Sequence, residues 1–110
     1  MQYMITIRGT DEGWATAGEK LWNAHAEVIK EIRRTGELVE THELDATDAK
    51  VLRKDHFGLS VTDGPYMEGK ELAGGYYLVD VTGPDRALEI ATKLMEGEPG
   101  PIEVRAIVTR

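Results

Sequence analysis

The sequence predicts an α+β fold in which two helices pack on one face of a mostly antiparallel sheet, the ferredoxin-like arrangement. Three observations carry this. Tyr3, Ile5 and Ile7 alternate with Met4, Thr6 and Arg8 at the period of a strand, and Ile102, Val104, Ala106 and Val108 repeat the alternation near the end of the sequence. Leu21, Ala24, His25, Val28 and Ile32 recur instead at three- and four-residue steps, as do Ala87, Leu88, Ala91, Leu94 and Met95. Before the second helical pattern, Gly75 to Val81 forms a nearly continuous run of aromatic and β-branched residues, the composition of a central strand.

The elements follow in order. The first strand ends where Gly9 to Gly13 predicts a loop. A helix is predicted from about Thr16 to Thr35, with Glu19, Lys20, Glu27, Lys30, Glu31 and Arg34 on its polar faces and Gly36 as its stop. Leu38 to Leu44 reads as a strand, and Asp45, Thr47 and Asp48 supply turn chemistry. Two short strands then form a hairpin, about Val51 to Arg53 and Gly58 to Val61, with Lys54 to Phe57 at its tip. Thr62-Asp63-Gly64-Pro65 is a strong turn signal, because proline lacks an amide donor and biases Gly64 towards extended backbone. The segment Glu68 to Glu71 is a charged loop. Pro84 suits a helix start, with Thr82 or Gly83 as cap, and Gly97 to Pro101 breaks that helix before the last strand.

A chain of 110 residues makes one domain, residues 1–110, large enough to bury a core without disulfides or structural metal. The net charge of −7, with no basic cluster, argues against nucleic acid and acidic membrane surfaces as partners. The absence of cysteine excludes thiol nucleophiles and cysteine zinc sites, and it favours a reducing, cytoplasmic setting. No stretch is apolar enough for a membrane span, and Met1 to Arg8 lacks the pattern of a signal peptide. A sheet covered on one face leaves apolar positions on the other, which predicts a homodimer with sheet facing sheet.

The stretch DGPYMEGKELAGGYYLVDV resembles the signature of the YCII-related, or DGPF-domain, family. The matching positions are Asp63, Gly64, Pro65, Tyr66, Glu68, Lys70, Glu71, Gly74, Gly75, Tyr76 and Tyr77. The resemblance extends to the first strand, to Gly36, Leu38 and Val39 after the first helix, and to residues 102–106. Tyr66 replaces the usual Phe, and Ala106 stands where the family often has Pro. The resemblance implies a ferredoxin-like domain assembled as a dimeric α/β barrel. It implies little about activity, since most members have no assigned reaction. Some look like partners of extracytoplasmic-function sigma factors. Relatives in the wider superfamily carry a His/Asp-centred site, among them a dehydrochlorinase acting on a chlorinated aromatic.

His25 leads the candidate site, because it lies on the apolar stripe of the first helix and matches the helix histidine of that His/Asp site. A neutral imidazole beside a carboxylate can take or give a proton near neutral pH. The plainer alternative is a core histidine bonded to a backbone carbonyl. Asp63 is the expected partner, with an Asx-turn as its alternative role. The wider family can place its acid near a late Asp-Pro step, where this chain has Glu98-Pro99, so Glu98 is the fallback. The family motif suggests Glu68, Lys70 and Glu71 as a polar rim or lid on a pocket, with Lys70 able to meet an anionic substrate, and a phenol of Tyr66, Tyr76 or Tyr77 at the pocket edge can donate a hydrogen bond to a developing oxyanion. A solvated loop and core or dimer packing are the alternatives for these residues.

His42 shares a strand face that could line the same cleft, whereas His56 belongs at the hairpin tip. The spacing of His25, His42 and His56 matches no metal-ligand pattern. Gly74-Gly75 precedes a strand and so lacks the context of a phosphate loop, and no nucleophile elbow surrounds Ser60. Two functional classes follow. One is a cofactor-independent, lyase- or hydrolase-type enzyme acting on a small organic molecule with His25 and Asp63. The other is a non-catalytic dimer that binds a metabolite or a regulatory protein.

Overall fold

The computed structural model describes residues 1–66 and 71–110. Among these, the elements are β1 (Gln2–Gly9), α1 (Asp11–Ala17), α2 (Glu19–Thr35), β2 (Leu38–Glu43), β3 (Lys50–Asp55), β4 (Gly58–Asp63), β5 (Leu72–Asp80), α3 (Pro84–Leu94) and β6 (Ile102–Ala106). Four strands form one sheet in the order β2-β5-β1-β6, with every neighbouring pair antiparallel. This order is compatible with a ferredoxin-like fold. The sheet is open, with β2 and β6 as its edges, and no barrel closes within the described residues. Among the described residues, strands β3 and β4 pair only with each other, as a separate hairpin.

The alternation along β1 sorts its side chains as expected. Tyr3, Ile5 and Ile7 turn to the helices and meet Tyr77 and Val79 of β5, Val28 and Ile32 of α2, and Ala87, Ile90, Ala91 and Leu94 of α3. Ile5, Ile32, Val79, Ile90 and Leu94 have 0% exposure, and burial of each such side chain stabilises the fold by about 1.5–3 kcal/mol. Strand β5 is central, as its composition predicts, lying between β2 and β1.

Instead of the loop expected from Gly9 to Gly13, α1 begins at Asp11, and the described residues form three helices where two were expected. Thr10 caps α1, its hydroxyl accepting from the Gly13 amide at 3.0 Å, and Asp11 and Glu12 favour the positive helix start. Gly18, with φ of 69°, then turns the chain into α2, a conformation that costs glycine little. α2 ends at Gly36 in the left-handed region, whose amide reaches the Ile32 and Arg33 carbonyls.

Charge ties the end of α2 to α3. Arg86 donates from Nε and Nη2 to the two Glu37 oxygens at 2.9 and 2.8 Å, and Lys93 donates to both oxygens of Glu31 at 2.7 and 2.9 Å. Hydrogen bonding from the Arg86 guanidinium holds the Glu37 carboxyl down at about 2, against the cost of its burial. A depressed carboxylate stabilises the fold above its unfolded value and loses that contribution as pH falls through the folded value. Stability is therefore expected to drop between pH 4.5 and about 2 through this group. Urea unfolding across that window should show Glu37→Gln flattening the pH dependence, by on the order of 2–3 kcal/mol.

Candidate functional site

Four elements place four side chains in one hydrogen-bonded chain. α2 carries His25 on the helix face that also buries Leu21 and Val28. β5 directs Tyr77 to the same face of the sheet, where its ring stacks with His25 at a centroid distance of 5.7 Å and an angle of 12°. The turn after α3 brings Glu98, and α1 brings Trp14. Glycine makes two of these approaches possible. A Cβ on Gly97 would lie 2.3 Å from the Lys20 carbonyl and 2.8 Å from Ala24 Cβ, so the turn holding Glu98 rests directly on α2. A Cβ on Gly74 would lie 2.5 Å from Trp14 Cη2, so only a bare backbone leaves room for the indole.

His25 Nε2 is 2.6 Å from Glu98 Oε1, and His25 Nδ1 is 2.5 Å from the Tyr77 hydroxyl. Glu98 is buried, its side chain only 2% exposed, and its second oxygen accepts from Trp14 Nε1 at 3.1 Å. An indole N–H can only donate. With Glu98 as a carboxylate accepting from both sides, Nε2 carries the imidazole hydrogen, Nδ1 is an acceptor, and the phenol of Tyr77 donates to it. Burial pushes the Tyr77 phenol up to about 12, reinforced by the negative charge of Glu98, while a Thr41 hydrogen bond opposes the rise. The phenol therefore keeps its proton at neutral pH.

This chain of groups faces a cleft of about 900 Å³ between α2 and the β2–β5 side of the sheet. Leu21, Trp22 and Ile29 supply apolar wall, and the loop Leu44 to Thr47 closes one side. Among the described residues, the charged side chains lining it are the acids Asp11, Glu43, Asp45 and Glu98. Amides and the hydroxyl around Thr47, with the amide of Asp48, hold the Asp45 carboxyl below its ordinary value, so it is ionised.

The sequence candidates divide. His25, His42 and Tyr76 line the cleft. His42 lies 3.5 Å from Glu40 and its ring is 5.9 Å from that of Tyr76. The expected His25–Asp63 pair does not form in this chain, because Asp63 ends β4 of the separate hairpin, largely exposed and bonded to Lys50. Glu98, the fallback, occupies that place. Tyr66 is 62% exposed and lies under Arg53, whose guanidinium carbon is 5.2 Å from the ring centroid, so it does not line the cleft. Glu68 and Lys70 lie outside the described residues. His56 is exposed at the hairpin tip, against Phe57. Trp14 is the residue that sequence reasoning missed, and a tryptophan in the first turns of a capped helix was its one signal.

Fold and site together define a small α+β protein whose largely buried histidine–carboxylate pair opens onto a cleft. The sequence matches the YCII-related domain over residues 1–109, and the chain belongs to that family. It is similar to an uncharacterized protein of Rhizobium meliloti, 40% identical over 63 residues, which is 56% of this chain and 51% of the relative. The match thus spans about half of the relative's length. No described helix is long and apolar enough to cross a membrane.

The raised phenol also gives a test of the site. An acid whose folded value lies above its unfolded value of 10.0 favours the folded state below that pH and loses the advantage as pH rises to about 12. Alkaline titration by ultraviolet absorbance should show one tyrosine ionising last, and Tyr77→Phe should remove that step. A wild-type curve in which all tyrosines ionise together would contradict the buried phenol.

Proposed function

We propose that the cleft is the active site of a cofactor-independent enzyme that moves a proton on a small organic molecule. The observation that carries this is the Tyr77–His25–Glu98 chain, in which a buried carboxylate orients an imidazole whose basic nitrogen communicates with the cleft through a phenol. A substrate acid bonded to the Tyr77 oxygen gives up its proton in two linked transfers. The substrate–hydrogen bond breaks as a new Tyr77 O–H forms, and the original phenol proton passes to His25 Nδ1. The resulting imidazolium is stabilised by Glu98 at 2.6 Å, and the phenol ends neutral, as its raised value requires. The acidic lining favours a neutral carbonyl compound over an anion as substrate.

Small cyclic and aromatic carbonyl compounds incubated in deuterated buffer, followed by proton NMR, provide the test. The wild type is expected to exchange or transform at least one, and His25→Gln to slow it by about 10²–10⁴-fold with the fold intact. Full activity in His25→Gln would sink the proposal.

One observation favours the second reading, a non-catalytic binding module. Both imidazole nitrogens already have partners in the ligand-free chain, as a structural histidine would. Ring-nitrogen NMR separates the two. In the module, a ligand found by thermal shift is never transformed, and His25 keeps its Nε2–H tautomer and its Tyr77 bond when that ligand is bound. In the enzyme, ligand binding alters the nitrogen signal that Tyr77 contacts.

A further inference from the structure

Trp14 is the one member of the buried set that no step of the proposed reaction uses, yet its place in the fold is closely determined. Its indole Nε1 donates to Glu98 Oε2 at 3.1 Å, while His25 Nε2 meets the other oxygen at 2.6 Å. Two bare backbones clamp the ring. A Cβ on Gly9, at the end of β1, would lie 2.9 Å from Cζ2, and one on Gly74, in the neighbouring β5, would lie 2.5 Å from Cη2. Neither glycine has a positive φ, so it is the indole, and not the backbone conformation, that requires glycine at both places. α1 buries no residue completely, and Trp14 is what it packs against the core.

The two donors to Glu98 differ in one respect. His25 gains and loses a proton in the proposed reaction, and its attraction for the carboxylate changes with it. An indole N–H donates in every state and has no second proton to take. Trp14 is thus the constant partner of a carboxylate whose side chain is only 2% exposed. The more of that charge the indole offsets, the less remains to hold an imidazolium at Oε1. We infer that Trp14 is a positioning residue, which through its bond to Glu98 limits how firmly His25 keeps a proton and so lets a proton taken from a substrate be given back. Only that last step rests on the proton-transfer reading.

Among the described residues, His25 shares its cleft with the titratable groups of Tyr76 and Tyr77 from β5, His42 and Glu43 from β2, Asp45 from the loop that follows, and Asp11 from α1. Trp14→Phe alters none of these and removes a single N–H from Glu98.

Ring-nitrogen NMR of the full chain, titrated with acid, is the test and needs no substrate. In Trp14→Phe the protonation of His25 should move up by about one pH unit, because a hydrogen bond to a charged group is lost. That variant leaves one oxygen of a buried carboxylate without a donor and is expected to be less stable, so a second one keeps the shape. 4-Fluorotryptophan has a more acidic N–H, and a Trp22→Phe background confines it to position 14. Its fluorine sits on Cε3, away from the ring atoms nearest to Gly9 and Gly74. Relative to the same background with ordinary tryptophan, the protonation of His25 should move down. Opposite shifts in the two proteins are the expected result, because a loosened site would not reverse sign in a chain of unchanged shape. An unmoved titration in the fluorinated chain overturns the inference, as does a folded Trp14→Phe without the upward shift. The expected shifts in a chain that transforms no carbonyl compound would uphold the hold of Trp14 on His25 and remove the reaction. Turnover with an unmoved titration would do the reverse.

Discussion

The buried carboxylate of Glu98 is the constraint on which the rest of the site depends. Removing a carboxylate from water is costly unless hydrogen bonds replace the lost solvation, and here an indole N–H and an imidazole N–H do so. Each donor comes from a different element. Trp14 is delivered by α1, His25 by α2, and the carboxylate itself by the turn between α3 and β6, 73 residues from His25 and 84 from Trp14 in sequence. The glycines at positions 74 and 97 make sense only in this light, since each clears space for one member of the set. Loss of any one partner leaves a polar group stranded in the interior, so the set is kept or lost as a whole.

The other end of α2 is organised on a different principle. Around Glu37 and Arg86 the charges are matched by bidentate geometry and border solvent, so they fasten α3 to α2 without a deeply buried ion. The helix is thus held by ion pairs at its C-terminal end and by apolar packing at Val28 and Ile32 in its middle. His25 sits where neither force acts directly, and its orientation is left to Glu98 and Tyr77.

How much of this the sequence discloses follows from the range of each interaction. Period alone identifies β1, α2, β5, α3 and β6, because each buries a face large enough to impose its pattern on many residues, and the sheet order is compatible with the expected fold. α1 escapes because it buries none of its residues completely and lies between glycines, so only its Thr10 cap announces it. His25 is legible as a polar residue in an apolar stripe. Its partner is not. The turn chemistry of Asp63-Gly64-Pro65 stands out locally, but the hairpin it belongs to carries Asp63 to Lys50 instead. Glu98 follows a helix break in a charged-looking segment, and nothing nearby reveals that Gly97 presses it into the core.

The hydrogen-bonded chain also has a direction once Glu98 is taken as a carboxylate and His25 as a neutral imidazole. The indole donates to Oε2, Nε2 then donates to Oε1, Nδ1 accepts, and the Tyr77 hydroxyl donates towards His25. What remains for the cleft is the accepting capacity of the phenol oxygen that the Thr41 hydrogen bond leaves free. The resting site therefore presents an acceptor to a bound molecule, which suits a ligand that brings a proton over one that needs to receive it. Reversing that polarity requires an imidazolium, whose Nδ1–H would donate to Tyr77 and free the phenol hydrogen for the cleft. One buried carboxylate thus allows two states of opposite polarity that differ by a single proton on His25, and a group that both takes and returns a proton needs such a pair of states.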